Sequence, residues 1–218
     1  MPRQIRGGLL TTTVLLIVAS GHVPGQGQAS RRQEGNKELE RLFREDQSDP
    51  RPLGTPEQAA QTMARADERR RQAAAILAAG GTNTAADYYN VALLYQHSET
   101  PDDLLMAHVL STIAGYKGDY RGRWLSAASL DKYLHRTSRP QVFGTQYYVA
   151  GNRRLNSSLL SDALRREFCV PALVAQQTND TTARAGGRTW TRILPECEPG
   201  YARGSGMPRK PLEPGDER

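Results

Sequence analysis

Residues 84–118 read TAADYYNVALLYQHSETPDDLLMAHVLSTIAGYKG, and two helix starts inside this stretch decide the fold. Thr84 is a capping residue ahead of a segment in which Tyr88 or Tyr89, Ala92, Leu93 and Gln96 recur at helical spacing, which predicts a helix through Ser98. Thr100-Pro101-Asp102-Asp103 then supplies a second cap, a proline preset for the first turn and two carboxylates at the positive end of the helix dipole. The helix it opens carries Leu104, Leu105, Ala107, Val109, Leu110, Ile113 and Ala114. That apolar surface is too wide for a single contact and predicts a place near the centre of the fold. Gly115 and Gly118 bracket its end.

The same grammar extends in both directions. Upstream, Thr55-Pro56-Glu57 is a cap and first-turn proline, and Gln58 completes a capping box for a helix running to about Ala79. Gly80 and Gly81 close it. Before it, Leu39, Leu42 and Phe43 among charges predict a short amphipathic helix over Asn36 to Asp46, stopped by Pro50 and Pro52. Downstream, Arg121 to Arg136 presents Trp124, Ala127, Ala128, Leu130 and Leu134 on one side of a fifth helix, and short links make successive helices antiparallel neighbours.

After Pro140 the pattern changes. Val142, Phe143, Tyr147, Tyr148 and Val149 around Gly144 predict an extended segment with a bend. A second extended piece near Leu155 to Leu160 is placed to pair with it across Gly151 and Asn152, and Asp162 to Phe168 predicts a last short helix before Cys169 and Pro171. The expected fold is mainly α, a bundle of antiparallel helical hairpins with a short extended or β-hairpin C-terminal appendage.

Tyr88 to Gly118, where small and aromatic residues alternate through one helix and a capped second helix ends at a glycine, is similar to the helical-hairpin unit of Sel1-like and tetratricopeptide repeats. The similarity spans about one unit, whereas a solenoid needs at least three, so it implies a compact TPR/Sel1-like bundle. A second set of residues comprises Gln96-His97, Thr100-Pro101-Asp102-Asp103, Asp131-Lys132-Tyr133-Leu134 and Pro140-Gln141-Val142-Phe143-Gly144-Thr145-Gln146. This set resembles an uncharacterised group of exported bacterial helical proteins, a domain of unknown function, whose helical part ends in P-Q-x-[YF]-G-T-Q. The resemblance runs from about Leu39 to Cys169 and leaves the polar linker and tail unmatched. It implies a helical fold and bacterial export, and it carries over no reaction and no catalytic residue.

The ends point to the same compartment. Arg3 and Arg6, the apolar run Gly8 to Ser20 and the small residues after it follow the plan of a cleaved signal peptide. A membrane span needs about 20 apolar residues, and this run is shorter and interrupted by Thr11, Thr12 and Thr13. The expected organisation is a signal peptide over 1–29, a flexible linker over 30–35, one helical domain over 36–199 and a disordered tail over 200–218. Cleavage after Ala29 or after Gly21 satisfies the small-residue requirement equally. The mature chain is expected to be periplasmic or extracellular, with no stable membrane span and no lipid anchor.

The formal charge of +6 falls to +4 once Arg3 and Arg6 leave with an acid-free signal, 27 basic residues then facing 23 acidic ones. Arg69-Arg70-Arg71 is the one tight cluster, it reads as a solvated helix face, and no aromatic residues interleave it as a nucleic-acid groove requires. Nucleic acid is therefore not an expected partner. Cys169 and Cys197 are most simply a structural disulfide in an oxidising compartment. The alternative, free thiols or metal ligands, lacks neighbours of the right type, since no histidine lies beyond His135.

Candidate chemistry collects at Gln96, His97, Asp131, Gln141, Thr145 and Gln146, polar groups beside apolar helix faces or in the glycine-bent segment. Asp131 continues a ridge from Trp124 and Ala128, and a buried carboxylate there must be paired or hydrogen-bonded. The leading reading is that Asp131 and the two glutamines tie the extended segment to the helices, with a ligand pocket as the alternative. His97 suits a helix C-terminus without chemistry and is also able to act as a general base. His108, on an apolar helix, reads as a satisfied core histidine. The signatures H-E-x-x-H, G-x-S-x-G and G-x-x-x-x-G-K-[ST] are missing. The functional expectation is a non-catalytic module binding a protein or peptide of the bacterial envelope, with no cofactor. The alternative is a small hydrolase or ligand-binding protein using His97, Asp131, Gln141 and Gln146.

Overall fold

A computed structural model describes residues 34–49, 55–146, 154–177 and 197. The expected signal peptide over 1–29, most of the expected linker over 30–35, the Tyr147-Tyr148-Val149 and Gly151-Asn152 positions and the expected tail over 200–218 lie outside the described residues.

The chain is mainly helical, with α1 over Lys37–Ser48, α2 over Pro56–Ala78, α3 over Ala85–Gln96, α4 over Pro101–Tyr116, α5 over Tyr120–Arg136 and α6 over Asp162–Glu167. One more helical turn covers 173–177. No helix among the described residues is long and apolar enough to cross a membrane.

Local chemistry sets these boundaries. Thr55 accepts from the Gln58 amide while the Gln58 side chain returns to the Thr55 amide, and Pro56 occupies the first turn of α2. Thr84 and Asp87 repeat the device at α3. At α4 the expectation is corrected: Thr100 holds the cap position but its side chain makes no capping bond. Ser98 serves instead, its hydroxyl accepting from the Thr100 amide and donating to Asp103 at 2.6 Å. Gly80 and Gly118 end their helices with φ of 72° and 104°, a conformation open to glycine at little cost.

Leu39 and Leu42 of α1, Ala73 of α2, Val91, Ala92 and Leu94 of α3, Leu110 of α4 and Leu125 of α5 form one buried cluster. Helix α4 lies between α3 and α5, and the four- and three-residue links on either side turn the chain back each time. The contact with α5 is close because both helices present small residues: a Cβ added at Gly122 would sit 2.6 Å from the Gly115 amide nitrogen and the Ser111 carbonyl oxygen.

Helix α4 packs between α3 and α5 as its apolar surface predicts, and α5 is enclosed more completely. Residues 125–129 of α5 are all buried, which requires cover on every side. Helices α3 and α4 cover one side. The C-terminal segment covers the other through a second cluster in which Ala127, Phe143 and Val170 are joined by Trp124, Leu130, Leu160 and Phe168. Helix α4 keeps an uncovered face, on which Leu105, Met106, Val109 and Tyr116 are exposed. The wide apolar surface read from its sequence counts that outward face together with the inward one.

Among the described residues the appendage is extended, and its one pairing is parallel, not that of a hairpin. Gln141 pairs with Leu155 in a single parallel bridge, the Gln141 amide donating to the Arg154 carbonyl at 2.8 Å and the Asn156 amide to the Gln141 carbonyl at 2.9 Å. Parallel segments cannot be joined by a tight turn. Cys169 and Cys197 form a disulfide, with Cα atoms 5.9 Å apart across a separation of 28 residues.

Candidate functional site

Asp131 reaches the surface of α5 where the segment Pro140 to Gln146 passes over it, and its carboxylate is fully buried. One oxygen accepts from the Val142 and Phe143 amides at 2.7 and 3.0 Å. The other accepts from the Thr145 amide and the Thr145 hydroxyl, both at 2.8 Å. Four donors thus converge on one charge. Gly144, at φ 84°, supplies the reversal that turns the Thr145 amide back toward the same carboxylate that Val142 and Phe143 already face.

The two glutamines complete the knot. The buried Gln141 side chain accepts from the Gln146 amide at 3.0 Å and donates to the Gln146 carbonyl at 3.3 Å, standing in for a strand partner. The Gln146 side chain donates to the Ala128 carbonyl at 3.0 Å, one turn before Asp131 on α5. On the outer side of the segment the carbonyls of Val142 and Phe143 face Arg165, whose side chain is fully buried. Gln176 donates to Phe143 at 3.0 Å and to Pro171 at 2.7 Å. A guanidinium and a carboxamide thereby close from α6 and 173–177 what the carboxylate closes from α5.

Of the six candidate residues, Asp131, Gln141, Thr145 and Gln146 come together, and Gln96 and His97 do not join them. Gln96 offers its backbone carbonyl to Lys132 at 3.0 Å. His97, at the C-cap of α3, lies with Nδ1 2.7 Å from the Asp46 carboxylate of α1. Asp46 in turn stands 3.5 Å from Arg69, and Asp49 takes Arg69 at 2.8 Å and Arg65 at 2.7 Å. The Arg65 guanidinium, joined by Arg69, holds the Asp49 carboxyl below its ordinary range against the opposing effect of burial. The reading of Arg69-Arg70-Arg71 as one solvated face is corrected here. Consecutive residues on a helix diverge, so Arg69 turns inward and is 7 % exposed, Arg70 joins Asp67 and Asp103, and Arg71 joins Glu68.

Lys132, part of the Asp131-Lys132-Tyr133-Leu134 stretch, carries no role in the sequence reading. Its amine reaches Gln96 and Glu99, the latter at 3.2 Å, where burial pushes its pKa down to about 8 and Arg70 adds to the effect. Glu99 is half exposed, so its attraction is weakened by solvent. Arg165 and Gln176 were missed as well, for a plain reason: six residues of α6 carry too little periodicity to mark an inward-facing arginine. His108 matches its expectation, with Nδ1 2.9 Å from the Ser126 carbonyl. Among the described residues no three His, Cys, Asp or Glu side chains gather as metal ligands do.

The apolar surface is a different region. Leu105, Met106, Val109 and Tyr116 are 37, 40, 51 and 94 % exposed along α4. Beside Tyr116 a cleft of about 250 Å³ opens between α4, α5 and 167–168, lined by Thr112, Gly115, Arg123, Ser126, Glu167 and Phe168. Arg123 donates to the Glu167 carbonyl at 3.2 Å and forms its polar rim. No family model, no curated protein and no solved structure matches the chain.

Proposed function

We propose that this protein is a non-catalytic helical module that binds a protein or peptide, working in an oxidising compartment such as the bacterial envelope or the extracellular space. The observation that carries the reading is the split between the two regions. The polar residues that invited a chemical reading are consumed in holding the chain together, while a row of large apolar side chains on a rigid helix is left to solvent. Asp131 has four donors for its two oxygens, and Gln141 and Gln146 are bonded to backbone. A hydrolase or ligand-binding role at His97, Asp131, Gln141 and Gln146 needs these groups to converge with capacity to spare, and His97 belongs to another cluster. Contiguous exposed apolar patches on soluble domains mark interaction sites, and a cleft beside such a patch suits one anchoring side chain.

The compartment rests on the Cys169–Cys197 disulfide, since such bonds persist where the surroundings are oxidising. The apolar run near the start and the kinship proposed through P-Q-V-F-G-T-Q agree with export and add no reaction. A displayed peptide library selected against the oxidised protein tests the binding reading. Ligands whose capture is lost in Val109→Asp and kept in Met63→Ala, a change at an exposed apolar residue of α2, support it. Ligands indifferent to Val109→Asp overturn it.

A further inference from the structure

Resting on the binding reading, we infer that the partner at the α4 face is a second copy of this chain, docked antiparallel about a two-fold axis through Val109. Val109 stands at the middle of the outward row of α4. Asp102, Leu105 and Met106 lie on one side of it and Thr112, Ile113 and Tyr116 on the other, all within a helical stripe centred on Val109. A two-fold interface requires self-complementarity, because residue i meets j wherever j meets i, and an apolar middle between ends of opposite charge meets that requirement. An antiparallel copy brings Leu105 against Thr112, Met106 against Ile113 and Val109 against its own equivalent.

The ends match in charge as well as shape. Asp102 is exposed, stands in the first turn of α4 and has no ion-pair partner among the described residues. Lys117 caps the other end, exposed, and among the described residues it meets just the Tyr88 ring, at 5.6 Å. The antiparallel copy sets Asp102 beside Lys117 of the partner subunit twice over, and opposes the two helix dipoles. A parallel copy would instead place the two Asp102 carboxylates together. Tyr116, 94 % exposed, gains cover against the partner's Leu105 and Pro101. A 16-residue helix is about 24 Å long, which sets the interface at the small end of the specific range.

Sedimentation equilibrium of the oxidised full chain reads the association directly. The expectation is a monomer–dimer equilibrium, weakened about tenfold or more by Val109→Asp, which sets two carboxylates on the axis. Asp102→Lys and Lys117→Asp each weaken it, and the double reversal restores it. Val109→Cys is expected to link two chains through one disulfide under mild oxidant, whereas Met63→Cys does not. A dimer that survives Val109→Asp, or single charge reversals that the double reversal fails to rescue, would overturn the pairing. A wild-type monomer at several hundred micromolar overturns it too. In that case, selected peptides still lost in Val109→Asp would leave the binding reading standing, and peptides indifferent to it would remove both.

Discussion

Asp131 takes both donors of Thr145 on a single carboxylate oxygen, the amide and the hydroxyl each lying 2.8 Å from Oδ2. With Val142 and Phe143 on the other oxygen, one side chain of α5 fixes the course of the segment that covers it. Replacing Asp131 by Ala leaves three buried or half-buried amides without acceptors, and each such loss costs about 1 to 3 kcal/mol. The expected destabilisation is about 3 to 5 kcal/mol. Thr145→Val removes only the hydroxyl bond and is expected to cost about 1 to 2 kcal/mol. Urea titration followed by far-UV circular dichroism checks both. A carboxylate that could be removed for less than the hydroxyl would contradict its role as the anchor.

The α4–α5 contact gives a second test. Gly122→Ala places a methyl group 2.6 Å from two backbone atoms of α4, the Gly115 nitrogen and the Ser111 oxygen, and neither is a flexible side-chain end. The helices must separate, at an expected cost of about 1 to 3 kcal/mol. Gly80→Ala is the contrasting control, since nothing lies within 4 Å of its Cβ position and its cost comes from the positive φ of 72° alone. Thermal melts of the two variants separate steric from conformational strain: the helical contact must loosen in Gly122→Ala and stay native in Gly80→Ala.

Helix boundaries were legible because they depend on neighbours in sequence. A cap, a first-turn proline and a terminal glycine act over one turn, and Thr55-Pro56, Thr84, Pro101 and Gly118 stand where the local rules put them. The link between Asp131 and the glycine-bent segment was legible for a related reason, a carboxylate on an apolar ridge needing donors. What covers a helix is not local, so neither the open face of α4 nor the full enclosure of α5 is written within either helix. His97 joins Asp46 across 51 residues, and Arg165 reaches Phe143 across 22. Pairings of that range depend on how helices are arranged, and no periodicity within one helix encodes them.

Opening the disulfide should act on stability with little change in the helices. Cys169 and Cys197 close a loop of 28 residues, for which the chain-entropy model gives about 3 to 4 kcal/mol. Val170, next to Cys169, is fully buried against Ala127 and Phe143, and its own contacts do not require the bond. The expected result of reduction, or of the double Cys→Ser variant, is a lower melting temperature with unchanged helical circular dichroism at 20 °C. Loss of helix on reduction would mean that the bond holds the bundle itself.

The pH dependence should have two limbs of opposite origin. Burial pushes the Asp87 carboxyl up, but the amides of Thr84, Asn36 and Asn83 outweigh it and hold the group below its ordinary value. A depressed folded pKa means that the stabilisation is complete above the unfolded value of about 3.9 and is lost as pH falls through the folded one. Asp87→Asn should therefore be less stable than the wild type at pH 6 and approach it below pH 3. Lys132 behaves in the other sense at the alkaline end. Its folded pKa of about 8 lies below the unfolded value of about 10.4, so the folded chain binds fewer protons between them and stability rises with pH across that window. Lys132→Met should flatten that rise relative to the wild type, while the Glu99 and Arg70 neighbours stay in place. Urea midpoints of the three proteins at intervals from pH 2.5 to 10.5 test both limbs. An unchanged difference between Lys132→Met and wild type from pH 7 to 10.5 would show that the lysine titrates as a solvated amine and that its burial against Gln96 is wrong.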